Sequence, residues 1–415
     1  MMKMGPKRIR EPGHVCRGNN TAAMTDNPVS SMAEVFGQGM IFSPRAPVHG
    51  SNWLPPSREL EFMTGRELTI SGDMPVICHN CVAEPEGLAL LRGIGHRLSH
   101  QIFTYQDFND RQQLLKRFSG SGHKIVVQHV HPPAELVPEA CWVSPKLLAW
   151  LNNKAQLNQL VPLRWCPDRS LVVPRQLLEY AGTFPAVVKA ATDLSTGGCV
   201  DVRICRTHDE IKDAYRLFTD CETVVIEEFL ELHRVLNVQF TISQRGVIRY
   251  FGSSEQMITP DLKPAGNWLS PDSSAPADVI DAVALVATDA AQRGYTGYVG
   301  VDVGMPHDGS WRLIDLNFRL NASTTPLHLM PLLRTVTDQP CAMYRTFGYS
   351  GNFASMLQAI ESAFNRGWLL PNSFFNPELT GDNSALPRAG ALVPVESREH
   401  LQERQLQLAE KGFVL

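Results

Sequence analysis

From residue 75 the chain alternates short apolar runs with amphipathic ones. Residues 75–78 read as a strand, 84–93 as a helix and 100–105 as a second strand. A helix over 107–118 follows, which Asp107 is placed to cap, then a strand over 124–130 and a further helix over 145–160. Short buried strands separated by helices predict an open parallel α/β sheet that closes near residue 145.

The pattern then changes. Residues 184–190 form an apolar strand interrupted by Lys189, and 191–203 a small-residue turn returning into another strand. A helix is predicted over 208–218 and a strand over 223–230, ending in the acid pair Glu227-Glu228. Residues 236–241 and 246–250 predict an antiparallel pair, 254–276 a polar, Pro-containing loop over a site, and 277–293 a long Ala-rich amphipathic helix. After Pro340 come a helix over 355–365, a loop over 366–388, a strand over 389–395 and a helix over 398–411 with Gly412 at its C′ position. This closing unit reads as a small subdomain or a final layer on the central one.

Residues 298–319 are the most informative stretch. Two runs rich in Val, Ile, Leu, Tyr and Trp flank Asp308-Gly309, a dipeptide suited to a two-residue hairpin turn. In that register Asp302 faces Asp315, with Cβ atoms about 4.5–5.5 Å apart. Asp315, Asn317 and Arg319 follow at a spacing of two and share one face. Two unrelieved carboxylates would repel, whereas two carboxylates, an amide oxygen and a guanidinium suit Mg²⁺ and a phosphate chain. The competing reading is a solvated polar sheet face.

Composition narrows the field. The 415 residues carry a formal net charge of -4, which argues against a dedicated nucleic-acid binder. No apolar run approaches the roughly 18–20 residues of a membrane span. Residues 1–35 lack periodicity and are expected to be an unordered leader, with Met24 and Met32 as alternative starts. The nine cysteines are scattered, as in a reduced, cytoplasmic protein, and Cys78/Cys81 is a lone CxxC on an ordinary strand. His129 and His131 alternate at a strand end, where open α/β sheets bind ligands, and are structural or catalytic.

Lys189 inside an apolar strand needs a counter-anion, either a phosphate or a buried Glu. The turn at 193–198 offers backbone N–H groups and the Ser195 and Thr196 hydroxyls to phosphate oxygens, though no GxxxxGK[ST] motif occurs. Read in order, Lys154, the strand to Lys189, the Ser/Gly turn, the strand 224–230, Asp302 and then Asp315, Asn317 and Arg319 resemble the ATP-grasp superfamily. Within it the chain is similar to amino-acid and peptide ligases of natural-product pathways, including pheganomycin-type peptide ligases. D-alanine–D-alanine ligases place an arginine two residues before the first metal acid, where this chain has Gly300.

The resemblance implies an α/β fold, α+β in its ATP-binding part. It divides the chain into a pre-ATP-grasp domain over 36–145, an ATP-grasp domain over 146–340 with a lid near 165–235, and an extension over 341–415. It implies that Lys154 and Lys189 hold the α- and β-phosphates of ATP beneath a mobile lid of Ser195, Thr196, Gly197 and Gly198. Glu227 would meet the adenine amine and the Glu228 and Leu230 backbones the ring edge, with Glu231 or His233 on the ribose. Asp302, Asp315 and Asn317 would bind two Mg²⁺ ions, with Mn²⁺ able to substitute, and Arg319 would steady the transferring phosphoryl group. Asn321, Ser323 and Thr324 are candidate contacts for a substrate carboxylate. The expected activity is ATP-dependent joining of an acid, an amino acid or peptide, to an amine through an acyl phosphate. A small-molecule kinase and a non-catalytic nucleotide-binding module are the alternatives. Partners would be small molecules, with neither nucleic acid nor membrane, in a homodimer.

Overall fold

The structure, a computed structural model, describes residues 29–48, 52–198, 200–259, 264–381 and 384–415. Strands β1 (Met40–Ser43), β2 (Val76–His79), β3 (Ile102–Tyr105) and β4 (Lys124–Val127) form a parallel sheet in the order β3-β2-β1-β4. All four β2 residues are buried, as expected where helices cover both faces. Helices Pro85–Ile94 and Phe108–Gly120 make the crossovers, the second capped by Asp107, whose carboxylate accepts from the Asp110 N–H at 2.9 Å.

Of the stretch expected to be an unordered leader, residues 1–28 lie outside the described residues. Met32–Phe36 is instead a helix, with Met32 and Phe36 packed into the core. Strand β1 was not expected.

The C-terminal ends of these strands carry a buried charge network. Arg45 pairs with Glu61 at 2.7 Å, and the Tyr105 hydroxyl donates to the same carboxylate at 2.7 Å. Arg111 approaches Glu135 at 3.5 Å, and His131 Nδ1 lies 3.2 Å from Glu135. Burial, partly opposed by Glu135, pulls the His131 imidazole down to about 4. His131 is therefore a satisfied structural histidine.

A second sheet holds β5 (Arg169–Val172), β6 (Ala186–Ala191), β7 (Val202–Cys205) and β8 (Thr223–Glu228), antiparallel in the order β5-β8-β6-β7. Helix His208–Phe218 covers it with Ile211, Ala214 and Phe218. The largest sheet comprises β9 (Leu232–Ile242), β10 (Ile248–Ile258), β11 (Pro264–Leu269), β12 (Gly297–Pro306), β13 (Arg312–Asn317), β14 (Cys341–Tyr349), β15 (Leu370–Phe375), β16 (Arg388–Val395) and β17 (Phe413–Val414). Its order is β13-β12-β9-β10-β11-β14-β16-β15, with β17 beside β14.

Three expectations change here. Of the loop expected over 254–276, residues 254–258 and 264–269 are strand, the end of β10 paired with β11, and 260–263 lie outside the described residues. Its polar residues Ser254 and Asn267 face inward and bond to each other and to Ser323, so their polarity does not mean solvent. The loop expected over 366–388 contains β15, all six residues of which are buried. The C-terminal residues thus extend the central sheet rather than forming a subdomain. Finally, the helix expected over 145–160 stops at Asn152, because Asn153 is extended, and a 3₁₀ turn begins at Lys154. That break sets Asn152 and Lys154 into the site.

Candidate active site

The hairpin of β12 and β13 is the floor of the site. Asp302 is the direct partner of Asp315, and Gly300 of Asn317. The connection is residues 307–311 rather than two residues, and a β-bulge leaves Ile314 without a cross-strand partner between the pairs Asp302–Asp315 and Val303–Leu313. The freed Ile314 carbonyl accepts from Lys189 Nζ at 2.8 Å.

Asp302 is held by amides. Asn237 Nδ2 donates to its Oδ1 at 2.6 Å and Gln256 Nε2 at 2.7 Å, while Asn317 Nδ2 lies 3.4 Å from Oδ2. Burial and then the facing Asp315 push its carboxyl up to about 6. Asp315 goes the other way. Burial works against its charge, but Lys154 and Lys189 outweigh that and hold it below the usual carboxylate range. Lys154 Nζ donates to Asp315 Oδ2 at 2.8 Å and lies 3.4 Å from Asp201 Oδ2. Burial disfavours that ammonium, yet Asp201 and Asp315 raise its pKa on balance.

Lys189 reaches the same floor from the second sheet. Its Nζ is 2.5 Å from Glu227 Oε2, and Arg169 Nη2 is 3.4 Å from Glu227 Oε1. Lys189 therefore has a buried glutamate as its counter-anion, and the Glu227 carboxylate is engaged by Lys189. Glu228 turns outward: its N–H donates to the Asp168 carbonyl and its Oε1 accepts from the Asp168 N–H, each at 2.9 Å. Leu230 is half-buried and Glu231 exposed on the linker into β9, where the exposed His233 stacks on His307 with ring centroids 5.1 Å apart.

Arg319, just beyond β13, donates to Asn152 Oδ1 at 2.8 Å, and burial lowers its pKa. Ser195 Oγ donates to the Val130 carbonyl at 2.9 Å and the Gly197 N–H to the Trp53 carbonyl at 3.0 Å, which seats the turn on the first domain. Gly198 has φ +66°, a left-handed conformation that side chains disfavour. Two clefts result, sharing Asn152. One of about 240 Å³ is lined by Lys154, Lys189, Glu227, Ile314 and Asp315. The other, about 290 Å³, is lined by His129, Ser195, Thr196 and Arg319.

Asn321, Ser323 and Thr324 sit elsewhere than expected. Asn321 Oδ1 accepts from Gln239 Nε2 at 2.6 Å, and Thr324 Oγ1 donates to Gln239 Oε1 at 3.0 Å. Ser323 Oγ accepts from Ser254 Oγ and Asn267 Nδ2, each at 2.8 Å. Ser323 is 2% and Thr324 0% exposed, so neither meets a substrate carboxylate in this structure. They brace the amides that hold Asp302. Gly300 belongs to the same network, because a Cβ there would stand 2.2 Å from Asn321 Nδ2. Gly300→Ala is expected to displace Asn321 and raise the Mg²⁺ concentration for half-maximal turnover about tenfold, a factor worth about 1.4 kcal/mol. A Mg²⁺ titration of ADP release checks it, and an unchanged midpoint would dissociate Gly300 from the site.

Sequence reasoning missed Asn152, Arg169, Asp201, Asn237, Gln239 and Gln256. A usable signal existed for two: Asn237 and Gln239 alternate with Leu236, Val238 and Phe240, the period of a strand with one polar face. Among the described residues no cluster of three His, Cys, Asp or Glu side chains could hold a metal ion, so a cation here would draw on two carboxylates, the Asn317 amide and oxygens from outside the protein. No described helix is long and apolar enough to cross a membrane.

Two family models match the chain. That for the ATP-grasp domain of L-aspartate–L-methionine ligase covers residues 167–317, and that for the N-terminal domain of the same enzyme covers 31–149. The chain belongs to the ATP-grasp carboxylate–amine ligases. Solved structures show the same fold. An N5-carboxyaminoimidazole ribonucleotide synthetase in complex with ADP is 12% identical with a TM-score of 0.56, over 90% of this chain and 97% of that one. The synthetase from Thermus thermophilus is 14% identical with a TM-score of 0.54, over 90% and 98%. An L-amino acid ligase from Bacillus licheniformis is 12% identical with a TM-score of 0.51, over 90% and 97%. The ligase is thus an amide-bond-forming enzyme that uses ATP. The family models describe an L-aspartate–L-methionine ligase rather than the pheganomycin-type group that the sequence resembles.

Proposed function

We propose that the ligase joins L-aspartate to L-methionine, phosphorylating a carboxylate of aspartate with ATP and passing the acyl group to the methionine amine. The family description suggests the two amino acids. The observation that carries the chemistry is the meeting of three cations, Lys154, Lys189 and Arg319, on the face of two opposed carboxylates. ATP's phosphate chain is the ligand that would use all three. Lys154 and Lys189 now neutralise Asp315 and Glu227, and both would exchange those partners for phosphate oxygens. Glu227 would then be free to accept from the adenine amine.

Asp302, Asp315 and Asn317 fit Mg²⁺: all offer hard oxygens, and the ammonium 2.8 Å from Asp315 supports a cation beside this carboxylate. When bound, Mg²⁺ would supply charge neutralisation for the phosphoryl group in transit. The protein's own work is placement. Arg319 would sit against the transferring phosphoryl group, with the 195–198 turn closing over it and excluding water. The acid's carboxylate oxygen attacks the γ-phosphorus, ADP leaves, and the amine then displaces phosphate from the acyl phosphate.

The test is ADP release by the purified protein with ATP, Mg²⁺, L-aspartate and L-methionine, with mass spectrometry of the product. Release that needs both amino acids, with a dipeptide formed, is the expected result. Release with another pair would move the substrate assignment, and none across an amino-acid panel would end the reading.

A further inference from the structure

We propose that His129 is the base that accepts the proton of the attacking amine. The inference rests on the acyl-phosphate reading above and assigns a residue of the first domain to its second step. His129 and His131 stand two apart at the end of β4, yet the fold treats them oppositely. His131 is bonded to Glu135 and faces Arg111 inside the charge network. His129 has no hydrogen-bond partner among the described residues and lines the cleft that also holds Ser195, Thr196 and Arg319. A Cβ on Gly197 would lie 3.7 Å from its Cε1, so the ring stands beside the turn that would close over phosphate. A ring only 9% exposed, without a partner and lining a cleft beside Arg319, is what a proton acceptor between the two substrates requires.

The surrounding charges agree. Burial and then Arg319, His131, Arg66 and Arg45 hold the imidazole well below its ordinary value. Asp193 is the acid lining the cleft, and it is exposed and engaged by Asn153 Nδ2 at 2.7 Å. The ring is therefore neutral at pH 7 and has a free lone pair. An amine arrives as an ammonium, gives one proton to solvent to become nucleophilic, and must shed a second on the way to an amide. As the C–N bond forms and the bond from the acyl carbon to the phosphate oxygen breaks, that proton passes to an imidazole nitrogen. Phosphate leaves with the electron pair of the broken bond, and the imidazolium returns its proton to solvent. No oxidant or further reactant is involved.

Hydroxylamine separates this role from a structural one, because it is weakly basic and attacks acyl phosphates without a base. The comparison uses the full-length protein and His129→Gln, with ATP, Mg²⁺ and L-aspartate, and either L-methionine or hydroxylamine as acceptor. Dipeptide kcat is expected to fall on the order of 10²-fold in the variant. Hydroxamate formation should stay within about threefold of the unsubstituted protein, which also reports that the variant folds. The acidic limb of the dipeptide kcat–pH profile should disappear with it. Undiminished dipeptide synthesis in the variant, or a parallel loss of hydroxamate, would overturn the assignment. No hydroxamate from the unsubstituted protein would instead strike the acyl-phosphate reading beneath it.

Discussion

Asp315→Ala is expected to lower kcat for Mg²⁺-dependent ADP release by at least about 10³-fold while leaving the fold intact. The magnitude follows from what one carboxylate does here. It is one of two acids that would hold the cation, and metal charge stabilisation of a transferring phosphoryl group is worth several kcal/mol, about 1.4 per tenfold. It also anchors Lys154 at 2.8 Å, so its loss releases a phosphate-binding ammonium from its position. The fold should survive, for two reasons visible in the site. Lys154 keeps a second counter-ion in Asp201 at 3.4 Å, and the facing Asp302 loses a like charge that now helps to push its carboxyl up. Asp315→Asn sharpens the comparison, since it keeps the shape and one oxygen but removes the charge. Both variants should be inactive with unchanged denaturant midpoints. Full turnover in Asp315→Ala would remove the metal assignment from this hairpin.

The register that brings Asp302 opposite Asp315 was legible in the sequence, but partly by good fortune. A two-residue turn at Asp308-Gly309 gives that pairing, whereas the observed connection of residues 307–311 shifts it by one, and the bulge at Ile314 shifts it back. Parity protected the rest of the strand: Asp315 and Asn317 share a face in any register, and Arg319 follows just beyond β13. The alternation of strands and helices in the first domain was readable for the same reason, since β2 and its neighbours are short, apolar and bounded by turn residues. What failed were inferences from polarity. Ser254, Asn267, Ser323 and Thr324 look like loop or substrate-facing residues, yet all are buried in a hydrogen-bonded network behind Asp302. Composition cannot distinguish a polar side chain facing water from one satisfied by another polar side chain, because the partner lies far away in the chain. Glu227 shows the same limit. The resemblance implied an adenine contact for this acid, and only the fold reveals that β6 and β8 set it beside Lys189.

That pair yields the second large effect. Lys189→Met is expected to destabilise the protein by about 3–5 kcal/mol, because Glu227, 3% exposed, loses its 2.5 Å partner and keeps only Arg169 at 3.4 Å. The double variant Lys189→Met/Glu227→Gln should recover most of that loss, since no uncompensated charge stays buried. Activity should not follow stability. The ammonium would be needed on the phosphate chain, so kcat/KM for ATP is expected to fall about 10³-fold in the single variant and to stay low in the double. Denaturant unfolding and ADP release on the same preparations check both halves. If the double variant regained turnover along with stability, Lys189 would be a structural partner of Glu227 and the phosphate role would pass to Lys154 alone. If neither variant lost stability, the Lys189–Glu227 pairing would not be the resting state, and the partner exchange that frees Glu227 for adenine would have nothing to exchange. The two carboxylates that face lysines here, Asp315 and Glu227, are thus the positions at which that partner exchange would be read.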